Sequence, residues 1–220
     1  MSVGRPPVFA GLSAAEVAGA AALGDEARAL LAGDPAPLSY LNALAARGLF
    51  ADAVKFLANA LPKRQAVWWA CLCARHSARG SPSAQTDAAL RAAERWVAGP
   101  DEPSRRAAEA AAETVGVGTP AGCAALAAFW SAGSLAPPHV QDVPPPDHLT
   151  ARGVAGSVML AAVATEPEQA DEKFRRFIAL GLDVAAGLNL WPPIAPAVSP
   201  PSPPDRPIQR PLRRPDHWES

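Results

Sequence analysis

The residues of this chain able to do chemistry fall into a few small groups. The first is Lys63-Arg64, which follows Pro62 and precedes the apolar run 66–74. Two cations in the first turn of a helix oppose its macrodipole, at about 0.3 to 1 kcal/mol each, so the placement asks for compensation. One arrangement that supplies it is an anion or acidic-partner site, with free helix N–H groups and both cations converging on a carboxylate or phosphate. The other is a pair of salt bridges to acids on a neighbouring helix, with the alkyl stems lying over apolar surface. The second is the commoner structural solution.

The natural general bases are the histidines. His139 with Asp142, and Asp147 with His148, cluster around a proline-rich stretch and could form a base with its orienting carboxylate. No nucleophile stands nearby in a recognisable frame such as a nucleophile elbow, and Asp147 is explained more simply as the N-cap of the next helix. His76 falls at the end of the 62–77 helix, where a cation complements the dipole. An enzyme centred on Asp147 and His148 is therefore the remote reading. Of the three cysteines, Cys71 and Cys73 lie about 200° apart around a helix and Cys123 is distant, so they make no metal set. They are expected to be buried and inert, and an odd number suits a reducing compartment. Gly116-x-Gly118 follows a helix and not a strand, which removes the phosphate-loop context, while Gly153 and Gly156 suit close helix packing. No cofactor and no metal are expected.

These groups need elements to hold them. The 220 residues are 49% hydrophobic, rich in alanine, and carry 20 basic against 21 acidic side chains. A net charge of −1 gives no overall field favouring nucleic acid or an anionic membrane. The apolar run 66–74, with Trp68 and Trp69, is far short of the roughly 18 to 20 residues that span a bilayer and predicts a central core helix surrounded by others. The opening residues read as an extended lead-in without a basic and then apolar leader, so the cytoplasm is the expected location.

No period-2 alternation is present, and helical periodicity punctuated by Gly, Pro, Asp and Ser predicts an all-α fold. Ser13-Ala14-Ala15-Glu16 has the form of a capping box for a helix over 13–22. Further helices are expected over 25–32, 37–48, 49–60, 62–77, 84–98, 103–115, 120–130, 147–165 and 167–188. Thr119-Pro120 gives a cap followed by proline at the first helical position. The last helix pairs Asp171 with Arg175 and Glu172 with Arg176 at i,i+4 spacing. Segments of similar shape start near 49, 84 and 119, but equivalent residues do not recur, which favours a compact irregular bundle of helical hairpins over an extended superhelix. The organisation expected is a lead-in over 1–12, a helical domain over 13–191 and a Pro-rich disordered tail over 192–220. That tail holds ten of the 25 prolines. In it Arg206-Pro207, Arg210-Pro211 and Arg214-Pro215 precede Trp218, an isolated aromatic suited to anchoring in a partner groove.

Four stretches carry a resemblance: 61–71 around Lys63-Arg64-Gln65-Ala66-Val67-Trp68-Trp69, Thr119-Pro120 leading to Phe129-Trp130-Ser131, Leu149-Thr150-Ala151-Arg152, and Phe177 through Leu182-Asp183-Val184-Ala185. Over about 49–191 the chain resembles an uncharacterised bacterial all-helical family found in gene neighbourhoods of type VI secretion systems. The resemblance implies context and no catalytic residue. The expected function is non-enzymatic protein interaction, as an adaptor, accessory or chaperone-like protein with protein partners, no nucleic acid and no membrane insertion. The candidate partner contacts are Lys63, Arg64 and Trp218, and the alternative is an anion or small-molecule module using Lys63 and Arg64.

Overall fold

A computed structural model describes residues 7–9, 11–78, 80 and 82–191; the predicted tail over 192–220, with Trp218, and residues 1–6 of the predicted lead-in lie outside the described residues. Among the described residues there are ten α-helices, one 3₁₀ turn and no strand, as the periodicity predicts. The helices are α1 (Ala14–Ala20), α2 (Asp25–Ala29), α3 (Pro37–Ala46), α4 (Phe50–Ala60), α5 (Lys63–Ser77), α6 (Ala84–Ala98), α7 (Glu102–Val115), α8 (Pro120–Phe129), α9 (His148–Val163) and α10 (Ala170–Ala185). The 3₁₀ turn, Pro167–Gln169, leads into α10.

Local signals start most of these helices. Ser13 and Glu16 form the reciprocal box, with the Ser13 N–H donating to the Glu16 carboxylate at 3.1 Å. Thr119 Oγ1 accepts from the Gly122 N–H at 3.0 Å, just ahead of Pro120. Two starts differ from the sequence reading. Pro62 is the N-cap and not the first helical residue, which leaves Lys63 to open α5. Asp147 is the N-cap of α9 by position, but its backbone is already helical and its carboxylate makes no capping bond. The last turn of α7 ends at Gly116 (φ +90°), whose carbonyl oxygen occupies the space a Cβ at Gly122 would need, 2.1 Å away.

Packing joins helices distant in sequence. Helix α9 lies against α4, α5, α8 and α10, and α5 against α6, α8, α9 and α10, a bundle and not a linear stack of hairpins. Small residues bring α8 and α9 together: a Cβ on Gly153 would sit 3.0 Å from the Ala127 Cβ. Ser157 Oγ on α9 donates to the Pro120 carbonyl at 2.8 Å.

Three expectations need correcting. Helix α5 is not enclosed all round, for Trp69, Cys71 and Cys73 are fully buried while Trp68 and Leu72 are half-buried. The Trp68 side is covered by residues 188–191: its Nε1 donates to the Asn189 carbonyl, and its ring meets Trp191 edge-on at 6.5 Å. The predicted lead-in also packs onto the domain. Phe9 is 1% exposed and the Val8 N–H donates to the Ala185 carbonyl at 2.9 Å. A single aromatic outside any helical period gives no sign of burial in the sequence. Finally, Asp171–Arg175 and Glu172–Arg176 form no ion pair; the Arg175 guanidinium lies 5.0 Å over Phe50, whose other neighbour is the stacked ring of Phe174.

Candidate functional site

Lys63 and Arg64 are adjacent in sequence but diverge. Arg64 donates through Nε to the Val97 carbonyl at 2.5 Å and through Nη2 to the Ala98 carbonyl at 2.8 Å, and its guanidinium stacks 4.2 Å from the Trp191 ring centre. Lys63 Nζ donates to the Ser131 carbonyl at 3.2 Å and to Asp147 Oδ1 at 3.3 Å. Arg64 thus closes the C-terminal end of α6, and Lys63 the end of α8. The cost of cations at the start of α5 is offset by the opposite dipole ends of two other helices. The expected salt bridge to a neighbouring acid forms for Lys63 alone, and Arg64 uses carbonyls instead. The two cations do not converge on a common anion position.

The same device recurs. Lys173 Nζ reaches the Thr165 and Glu166 carbonyls beyond the end of α9. Arg105, only 2% exposed, donates to the Phe129 carbonyl at the end of α8 (2.7 Å) and to the Ser134 carbonyl (2.9 Å), with Glu102 gripping its other face at 2.6 Å. Arg106 adds bonds to Glu102, Glu109 and the Ser134 and Ala136 carbonyls. The Arg105 hydrogen bond, more than any other contact, holds the Glu102 carboxyl down from 4.5 to about 2. Gly133 (φ +67°) passes so close that a Cβ there would lie 2.9 Å from Arg105 Nε. This clamp fixes the base of the proline-rich loop over 137–146, which closes back through the Leu135 N–H to the Val143 carbonyl (2.8 Å) and the Val143 N–H to Ser134 Oγ (3.0 Å). Val140 and Val143 stand 51% and 50% exposed on it. Sequence reasoning missed this clamp, because an Arg-Arg pair in an alanine-rich helix reads as a solvated face.

Asp147 and His148 do not form a base-and-orienter pair. The Asp147 carboxylate is exposed and turns to Lys63, and no hydrogen bond joins it to His148. His148 instead lines a cavity of about 150 Å³ between the end of α1, α4 and α9. Its floor includes Ala21, Ala151, Ala155 and Met159; Lys55, Asn59 and Arg152 join His148 among the lining residues. The i,i+4 spacing of His148 and Arg152 was the available signal for this pairing on α9.

Burial raises the thiol pKa of all three cysteines; Cys71 and Cys73 are fully buried, whereas Cys123 is half-buried and not enclosed as expected. Among the described residues no group of three or more His, Cys, Asp or Glu side chains is placed to hold a metal ion, and no helix is long and apolar enough to cross a membrane.

Residues 40–185 match a family of unknown function, DUF6931, and the chain belongs to it. No curated protein and no solved structure matches.

Proposed function

We propose that this DUF6931 chain works by protein contact without catalysis, as a cytoplasmic adaptor, accessory or chaperone-like component linked to a bacterial type VI secretion system. The observation that carries this reading is the loop over 137–146, held at its base by Arg105, Arg106 and Ser134 while Val140 and Val143 remain half exposed. Apolar side chains presented on a backbone already fixed lose less entropy on docking than those on a mobile segment. The polar residues nominated from sequence support the same view. Lys63, Arg64 and Asp147 are engaged in joining helices. The link to secretion rests on the sequence resemblance.

The test is affinity capture from native lysate with the full chain, a Val140→Asp/Val143→Asp variant and a chain lacking 192–220, run side by side. Recovery of a secretion component by the full chain and its loss with the loop variant, at unchanged melting temperature, is the expected result. Capture of nothing above background by the full chain would sink the adaptor reading.

A further inference from the structure

The cavity between α1, α4 and α9 has a construction that the adaptor reading does not use. Its floor is apolar, formed by Ala21, Ala155 and Met159, and its volume of about 150 Å³ is in the range that admits a benzene ring. A wider mouth continues from it, again lined by Asn59, His148 and Arg152, and also by Asp147, whose carboxylate is paired with Lys63 at 3.3 Å. Arg152 is exposed and makes no ion pair among the described residues, whereas Lys55 at the same rim is matched to Asp52 at 3.3 Å. Asn59 spends one N–H on the Lys55 carbonyl at 2.8 Å and keeps its side-chain oxygen and second N–H. The first turn of α9, which carries His148, has no side-chain cap, so the positive end of its dipole lies at this mouth.

From an apolar floor beneath a mouth at which Arg152 has no ion-pair partner among the described residues we infer a binding site for a small organic monocarboxylate with a compact apolar body, of the size of benzoate. The body fills the floor against Ala155 and Met159. The carboxylate meets the Arg152 guanidinium, whose planar fork matches two oxygens at once, with His148 one turn away on the same face. An inorganic anion such as phosphate would leave the floor unfilled, and a neutral ring would leave Arg152 unmatched.

Full-length protein titrated with benzoate, benzyl alcohol and inorganic phosphate, followed by amide chemical shifts and calorimetry, tests the site. Saturable benzoate binding is expected, with shifts at Ala21, Ala22, Ala151 and Ala155, about tenfold weaker binding of benzyl alcohol, and none of phosphate. Arg152→Met, at an exposed position, should weaken benzoate about tenfold and leave benzyl alcohol unchanged. Ala155→Leu should abolish both by filling the floor, with circular dichroism as the fold control; if it disturbs folding, Arg152→Met decides. Absence of saturable benzoate binding, phosphate binding as tightly as benzoate, or benzoate affinity unchanged in Arg152→Met overturns the inference. None of these outcomes bears on the adaptor reading, whose readout is partner capture.

Discussion

The indole Nε1 of Trp69 on α5 donates to the backbone carbonyl of Phe177 on α10 at 2.7 Å, and Gly181, one turn further along α10, lets the two helices approach that closely. A Cβ at Gly181 would lie 2.6 Å from Leu57 Cδ2 and 2.9 Å from Trp69 Cε2. Both of those side chains are fully buried, so neither has room to yield.

Gly181→Ala is therefore expected to destabilise the protein although alanine favours a helix. The propensity gain is about 1 kcal/mol, and overpacking of a tight core costs about 1 to 3 kcal/mol. Urea unfolding should show a lower midpoint; a higher one would mean that α10 shifts freely against α5.

Glu102 sets an acid-sensitive part of the stability. Its carboxyl is drawn from 4.5 to about 2, chiefly by the Arg105 hydrogen bond, so it contributes stability above pH 4.5 that is lost as the pH falls towards about 2. The stability difference between wild type and Glu102→Gln should be largest near neutral pH and shrink across that window. Unfolding free energies measured from neutral to acid pH would reveal a constant difference if the Arg105 pairing were unimportant.

Lys63 and Arg64 should separate energetically. Arg64→Ala strands the carbonyls of Val97 and Ala98 and removes the stack on Trp191, a loss of about 1 to 3 kcal/mol. Lys63→Ala gives up one bond to the Ser131 carbonyl and a pair whose acid, Asp147, is fully exposed, and should cost less than the loss of Arg64. Thermal melts of the two variants decide between these unequal costs and the equal ones that a shared role would require.

The thiols should react in a fixed order. The nucleophile is the thiolate, which burial suppresses at Cys71 and Cys73, while Cys123 is only half-buried. Alkylation of the native protein followed by mass spectrometry should label Cys123 first. Cys71 and Cys73 should become labelled only in denaturant, and early labelling of either would show that α5 opens.

What was legible in the chain was local. The Ser13–Glu16 box, Thr119-Pro120 and the Gly and Pro stops mark most helix limits, because caps and i,i+4 bonds involve residues a few positions apart. The Gly153 packing role was equally readable, since a glycine inside an apolar helix has few other uses. Phe9 was not, because its burial depends on where the end of α10 comes to rest.

The sequence by itself determined that the protein is all-α and where most of its helices begin and end. Only the tertiary structure decided what the charged side chains do. Lys63, Arg64, Arg105 and Lys173 each reach carbonyls near the end of a helix, and for Arg64 and Arg105 those carbonyls are 24 to 34 positions away along the chain. Such a partner is chosen by how helices cross, and no spacing along one helix encodes that crossing. The joining of His148 and Arg152 with Asn59 around one cavity has the same cause, for α4 and α9 meet through the shape of their apolar faces and bring their polar residues along.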